Sequence, residues 1–328
     1  MVFNFFEERV YKMKFTSMTE ELTVTRFKKN LEREIEGYFE NKGYYLIEPR
    51  IFQKYDEYVK SNFRQDSSKT VKVLSGNSRI FILRPDITTN ILGEIFSKWD
   101  GKPPLKVYYN SKIYLNKPGG KILEGYQMGI ESLGDDVLKA DQEIVEMAVY
   151  LMSSLEKDYI LELGSSKYLD AIFIDLNLNI DKELELRDLI GKKNRFGIKK
   201  KIQELNIESK VLNEILNLQG EMGEVILKAR QYKSNKQMEE ALYELEEINE
   251  ILKEADYSNG INLDLSMIPD LDYYDGIVFK GYCKGIPNKV LSGGRYDRLT
   301  EEFGKKVPAI GFMIDMDMVT RIRLKEGI

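Results

Sequence analysis

Histidine is absent from all 328 residues. A chain without it has no Ser-His-Asp triad, no Cys-His pair and no imidazole metal ligand. Cysteine is almost absent too. Cys283 stands alone, which excludes an internal disulfide and any multi-cysteine zinc site and agrees with a reducing compartment. No metal and no cofactor is expected. No apolar run approaches the roughly 20 residues of a membrane span. In residues 1–14 (MVFNFFEERVYKMK) two acids, Glu7 and Glu8, interrupt the apolar patch, so no secretory signal is read and a cytoplasmic location is expected. Positive surplus is lacking as well: the net charge is −5. Proteins that hold tRNA by its phosphates usually carry a basic surplus or patch. Lysine clusters such as Lys199 to Lys201 lie in an acid-rich, helix-like stretch and read as a solvated helix face.

The missing histidine also admits a biological reading. A protein needed when histidine is scarce gains by not requiring histidine for its own translation. Chance is the plainer explanation unless other features point to histidine.

What is present describes a soluble globular chain. Hydrophobic residues make up 42% and charged residues 31%. The length corresponds to about two domains, with a core that needs no staples. Val24, Phe27, Leu31, Ile35 and Phe39 recur at helical spacing and predict a helix over 19–42, with Thr19 as N-cap and Gly43 as terminator. A strand follows over 44–48, stopped by Pro49. Residues 69–75 and 79–83 predict a hairpin around Gly76-Asn77. A helix at 87–98 leads into two long strands, 105–115 and 122–131, joined by a turn at 117–120. A helix at 135–155 and a short strand at 159–163 come next. From about 165 to 256 the pattern is charged and helical. Strands return at 261–265, 275–283 and 308–314, and a helix closes the chain at 315–326. This is an α+β pattern. It divides into a first core part (1–164), a mostly helical insertion (165–260) and a second core part (261–328).

No phosphate loop of the GxxxxGK[ST] type is present, and no GxGxxG follows a strand. The pair Gly293-Gly294 in Leu291-Ser292-Gly293-Gly294-Arg295-Tyr296-Asp297 permits either a tight turn or a close backbone approach to a ligand. Three further segments accompany it: Leu83-Arg84-Pro85-Asp86-Ile87-Thr88, the run Leu271 to Phe279, and Pro308-Ala309-Ile310-Gly311-Phe312. In this order, with the helix at 19–42 ahead of them, they resemble the landmarks of the class II histidyl-tRNA synthetase core. The resemblance runs from about residue 17 to the C-terminus, with the insertion aligned only loosely. It implies an antiparallel sheet flanked by helices, and pairing of two copies through the first helix and its strand, about 19–48.

The departures from that family carry the functional reading. Adenylate formation needs positive groups around phosphates, where electrostatic stabilisation is the main catalytic term. Where the family's second motif has arginine and then glutamate, this chain has Tyr114 and Asn116. Where its third motif ends in Glu-Arg, this chain has Asp317-Met318. Where an arginine precedes the Leu-Asp-Tyr-Tyr run, Pro269 stands. The family's C-terminal anticodon-binding domain is not expected either. The resemblance therefore implies neither amino-acid activation nor tRNA charging.

The amino-acid pocket is treated differently. The family's polar pocket groups correspond to Asp86, Thr88, Gln127, Glu131, Tyr274, Arg295 and Tyr296. Asp86 and Gln127 offer acceptors to an ammonium; Glu131 and Tyr274 can meet an imidazole. Arg295 or a backbone N–H would have to take the ligand carboxylate. The ordinary alternative is that Glu131 and Tyr274 are strand residues with one wet end. A synthetase core that keeps this pocket while losing phosphate chemistry is similar to the regulatory subunits of ATP phosphoribosyltransferase. That resemblance implies no catalysis by the chain itself. It implies a hetero-oligomer with the short-form catalytic subunit, a role in the first step of histidine biosynthesis, and histidine as feedback effector. A divergent synthetase-like enzyme that still activates an amino acid is the main alternative. A module acting on RNA or a kinase is disfavoured by the acidic balance, and a metal-dependent enzyme by the missing ligands.

Overall fold

The computed structural model describes residues 17–61, 67–257 and 259–325. Two compact units result. One comprises the described residues up to Ser132, Glu302–Lys305 and those from Met313 onward; the other comprises Leu133–Glu301 and Lys306–Phe312.

The first unit opens with helix α1 (Met18–Asn41), which buries Leu31, Ile35 and Phe39 at helical spacing. Its N-cap is Ser17, not the expected Thr19. Ser17 has extended backbone angles, and its Oγ accepts the N–H of Glu20 at 3.2 Å, so Thr19 falls inside the first turn. Gly43, at φ +85°, ends the helix in the left-handed conformation that glycine adopts without steric cost. Strand β1 (Tyr45–Leu46) follows. Strand β2 (Phe52–Lys54) leads into helix α2 (Tyr55–Ser61). Strands β3 (Val71–Leu74) and β4 (Ile80–Leu83) form the expected hairpin, and a small antiparallel sheet runs in the order β2-β4-β3. At the hairpin tip it is Ser78 that takes positive φ, +56°; the Ser78 N–H donates to the Ser75 carbonyl at 3.0 Å. Helix α3 (Thr88–Phe96) buries Ile91, Leu92 and Ile95. Strands β5 (Leu105–Lys117) and β6 (Lys121–Leu133) are joined through Gly119 and Gly120, both at positive φ. The strand order here is β1-β5-β6, with β1 parallel to β5.

The second unit begins at helix α4 (Val137–Leu155), capped by Asp136, which accepts the Lys139 N–H at 3.1 Å. Strand β7 (Tyr159–Ser165) precedes helices α5 (Ser166–Leu176), α6 (Ile180–Gly191), α7 (Arg195–Glu204) and α8 (Lys210–Glu214). A two-residue strand β8 (Gln219–Gly220) then interrupts the helical stretch, before helices α9 (Met222–Arg230) and α10 (Lys236–Glu254). Strands β9 (Ile261–Asp264), β10 (Ile277–Cys283) and β11 (Leu291–Arg295), the short helix α11 (Asp297–Glu302) and strand β12 (Ala309–Asp315) complete it. The order is β11-β10-β7-β9-β8, with β12 beside β11. The pairs β11–β10, β10–β7 and β9–β8 are antiparallel, and β7–β9 is parallel. Helix α10 packs its Leu242, Leu245 and Ile248 face on α4 and α5. The chain returns to the first unit in helix α12 (Met316–Lys325), which lies on α1. The α+β class expected from the sequence is the class observed.

Candidate functional site

In the first unit the expected pocket residues sit on two elements. Thr88 is the first residue of helix α3, and Asp86 stands two residues before it. Asp86 Oδ1 accepts the N–H of Thr89 at 2.8 Å and so caps the helix. Burial pushes its carboxyl up, and the Thr89 N–H opposes that shift. Burial also raises the Tyr58 phenol, and the Asp86 charge raises it further. Gln127 and Glu131 lie four residues apart on β6, which places them on one face of the strand. Thr88 Oγ1 donates to Glu131 Oε1 at 2.7 Å, and Glu131 is only 2% exposed. One hydrogen bond therefore joins the two elements. Asp86, Gln127 and Glu131 bring acceptors to them, suited to an ammonium or an imidazole N–H.

In the second unit Arg295 and Tyr296 have internal partners where the sequence reading placed a ligand. Arg295 Nε donates to Asp141 Oδ1 at 2.9 Å, Nη1 to Asp297 Oδ1 at 2.9 Å, and Nη2 to the Val137 carbonyl at 2.8 Å. Burial alone would lower the arginine pKa; Asp141 and Asp297 reverse this and hold it charged. Asp297 Oδ1 also accepts the Ala309 N–H at 2.8 Å, while Asp275 accepts the N–H groups of Asp297 and Arg298. The arginine thus locks the corner between β11 and α11. Tyr296 is buried, its ring edge-on to Tyr273 at 5.9 Å; Tyr273 in turn meets Tyr274 at 5.0 Å.

The glycine pair is explained by the same packing. A Cβ on Gly293 would stand 2.4 Å from the Gly311 carbonyl, and one on Gly294 2.9 Å from the Tyr274 ring. The close approach that the sequence allowed is to the protein's own strand and to Tyr274.

At the second- and third-motif positions where this chain departs from the resembling family, the residues serve the protein's own packing. The Tyr114 N–H donates to the Arg84 carbonyl at 3.0 Å. Asn116 Nδ2 donates to the Ser68 carbonyl at 3.0 Å. Met318 is 1% exposed, a core residue of α12. Asp317 pairs with Lys28 at 2.7 Å and accepts the Tyr126 N–H at 3.3 Å, and the Lys28 ammonium lies 4.1 Å from the centre of the Tyr126 ring. Sequence reasoning missed this knot, and it missed Asp141 as the partner of Arg295. Both join residues far apart in the chain and leave no local pattern.

Among the described residues no group of three or more His, Cys, Asp or Glu side chains is placed to hold a metal ion, and no helix is long and apolar enough to cross a membrane.

Residues 22–319 match the family described as histidyl-tRNA synthetase. Over 307 residues the chain is 36% identical to the ATP phosphoribosyltransferase regulatory subunit of Clostridium acetobutylicum, covering 91% of this chain and 74% of that one. A crystal structure of an ATP phosphoribosyltransferase regulatory subunit/histidyl-tRNA synthetase from Bacillus halodurans superimposes with a TM-score of 0.83 at 26% identity, covering 95% of this chain and 82% of the other. A chain of the ATP phosphoribosyl transferase (HisG:HisZ) complex from Thermotoga maritima shares the fold, with a TM-score of 0.70 at 17% identity and coverage of 88% and 97%.

Proposed function

The chain belongs to the family of ATP phosphoribosyltransferase regulatory subunits, and from that premise we propose how it works. It is a non-catalytic subunit of ATP phosphoribosyltransferase, acting in histidine biosynthesis in complex with the catalytic subunit. In our reading the catalytic subunit requires it for activity and receives histidine feedback through it. The effector is held by Asp86, Thr88, Gln127 and Glu131.

The observation that carries this reading is the Thr88–Glu131 hydrogen bond. Polar groups persist at the amino-acid pocket positions, while Tyr114, Pro269 and Met318 occupy the positions of the phosphate-handling arginines. Losing one oxyanion donor costs about 3 kcal/mol in studied enzymes. Three such losses remove amino-acid activation, although the terms do not add simply. The chain alone should give no ATP–pyrophosphate exchange with any amino acid. Histidine-dependent exchange above background would favour the divergent synthetase instead.

Pairing of two copies through α1 and β1 is part of the same proposal. Strand β1 stands at the end of its strand order with Tyr45 74% and Leu46 53% exposed. An apolar open edge of this kind needs cover. Light scattering at micromolar concentration should give a mass of at least two chains; a monomer would exclude this pairing.

A further inference from the structure

Phe196 is 79% exposed, the most exposed of the large apolar side chains among the described residues. It lies in the first turn of α7, and the backbone that carries it is pinned. Lys193 takes φ +52°, and its ammonium donates to Ser266 Oγ at 2.6 Å and binds Asp264. Asn194 Oδ1 accepts the Gly197 N–H at 2.9 Å. A Cβ on Gly197 would come within 2.7 Å of the Leu189 side chain. Arg195 donates to Asn217 Oδ1 at 2.7 Å. A ring presented from a fixed backbone loses little freedom on binding, as anchor residues of interfaces do.

The charges around the ring are incompletely neutralised. Lys201 is paired with Glu185, and its side chain is only 16% exposed. Arg195 and Lys199 have no carboxylate partner among the described residues, and Lys200 lies 3.7 Å from Glu204 with 65% of its side chain exposed. On α7, Phe196 and Lys199 or Lys200 are spaced by three and four residues and share a face.

Helix α10 carries the opposite pattern. Tyr243, Glu247, Glu250 and Glu254 recur at steps of four, three and four, one stripe along the helix. Tyr243 is 51% exposed, and its phenol is raised by its hydrogen bond to Glu247 and by the charges of Glu247 and Glu250. Other α10 acids are matched by cations: Glu246 by Arg230, Glu239 by Lys233, Glu244 by Lys167. The three glutamates of the stripe have none among the described residues.

We propose that these faces meet in trans: the Phe196 turn of one copy seats against the Tyr243–Glu254 stripe of a second copy of this chain. The aromatic of each face lies against that of the other, and Arg195, Lys199 and Lys200 face Glu247, Glu250 and Glu254. A two-fold axis makes the contact twice, which raises two small patches toward the area a specific interface requires. The contact is independent of the pairing through α1 and β1 and extends that dimer to a higher assembly. Being charge-based and surface-exposed, it weakens with salt.

The test is sedimentation velocity of the full chain at low and high salt, with three variants: Phe196→Ser, Lys199→Glu with Lys200→Glu, and Glu247→Lys with Glu250→Lys. All five positions lie on helix surfaces, so circular dichroism should stay unchanged. Phe196→Ser should weaken the self-association step at least tenfold. Each charge-reversed variant should fail to make the contact alone, because turn and stripe then carry like charge. Mixed one to one, the two should associate again, since both reciprocal contacts are restored. Salt-insensitive assembly identical in all variants would overturn the proposal. So would variants that self-associate normally yet lose binding to the catalytic subunit, which would assign the face to that subunit.

Discussion

Arg295 and Asp141 stand 154 positions apart in the chain, and the guanidinium donates to the carboxylate at 2.9 Å with both side chains buried. Truncating one partner of a buried ion pair leaves an uncompensated charge and costs about 3–5 kcal/mol. Asp141→Ala should destabilise the second unit by that order, read as a lower urea midpoint multiplied by the m-value. Asp141→Asn, which keeps an acceptor for Nε, should cost clearly less. Equal and small effects of the two, under about 1 kcal/mol, would mean that Arg295 is not held by Asp141 and is available to a ligand.

Ser17 supplies the first turn of α1 with an acceptor for the Glu20 N–H. Ser17→Ala should destabilise that turn by about 1 kcal/mol. Hydrogen exchange reads this locally: the amide of Glu20 and its neighbours should exchange roughly fivefold faster, with α4 unaffected. An unchanged rate would place the helix start elsewhere.

Asp315 accepts the N–H groups of Asp317 and Met318 at 3.0 and 2.9 Å. Burial pushes its carboxyl up to about 6, and the nearby Asp317 charge adds to this. An unfolded aspartate titrates near 3.8. Between these values the folded chain holds the proton and the unfolded chain does not. This group's contribution therefore falls as pH rises from about 4 to 6 and is level above that. Asp315→Asn keeps an acceptor for α12 and removes the charge. It should flatten that slope and raise stability at pH 7 by on the order of 1–2 kcal/mol. A variant less stable at pH 7 than at pH 5, relative to the parent, would contradict this sign.

Much of the fold was legible because it is local. The α1 stripe, the Ser75–Arg79 turn and the Gly119-Gly120 turn follow from periodicity and backbone preference, and the structure places them within a residue or two. The N-cap was misjudged by two positions because Ser17 and Thr19 are chemically alike, and only the backbone angles decide between them. The two-residue strand β8 has no period to read; it exists because Gln219 and Gly220 pair with β9. Thr88 and Glu131 stood out through a resemblance, and their mutual contact became visible only in the fold. For Arg295 the motif pointed to a ligand. The internal partner, Asp141, sits on a helix with no sequence signal beyond one acid on an apolar face.

The most direct test is inhibition of the reconstituted enzyme. The short-form catalytic subunit is assayed for joining ATP to phosphoribosyl pyrophosphate, with and without this chain, over a range of histidine. Activity should depend on the chain, and histidine should inhibit only when it is present. Thr88→Val and Glu131→Gln should each shift the inhibition curve to at least tenfold higher histidine, a change of about 1.4 kcal/mol, within the usual range of allosteric coupling. Inhibition of the catalytic subunit alone with the same curve, or curves unmoved by both substitutions, would contradict a regulatory pocket built on Thr88 and Glu131.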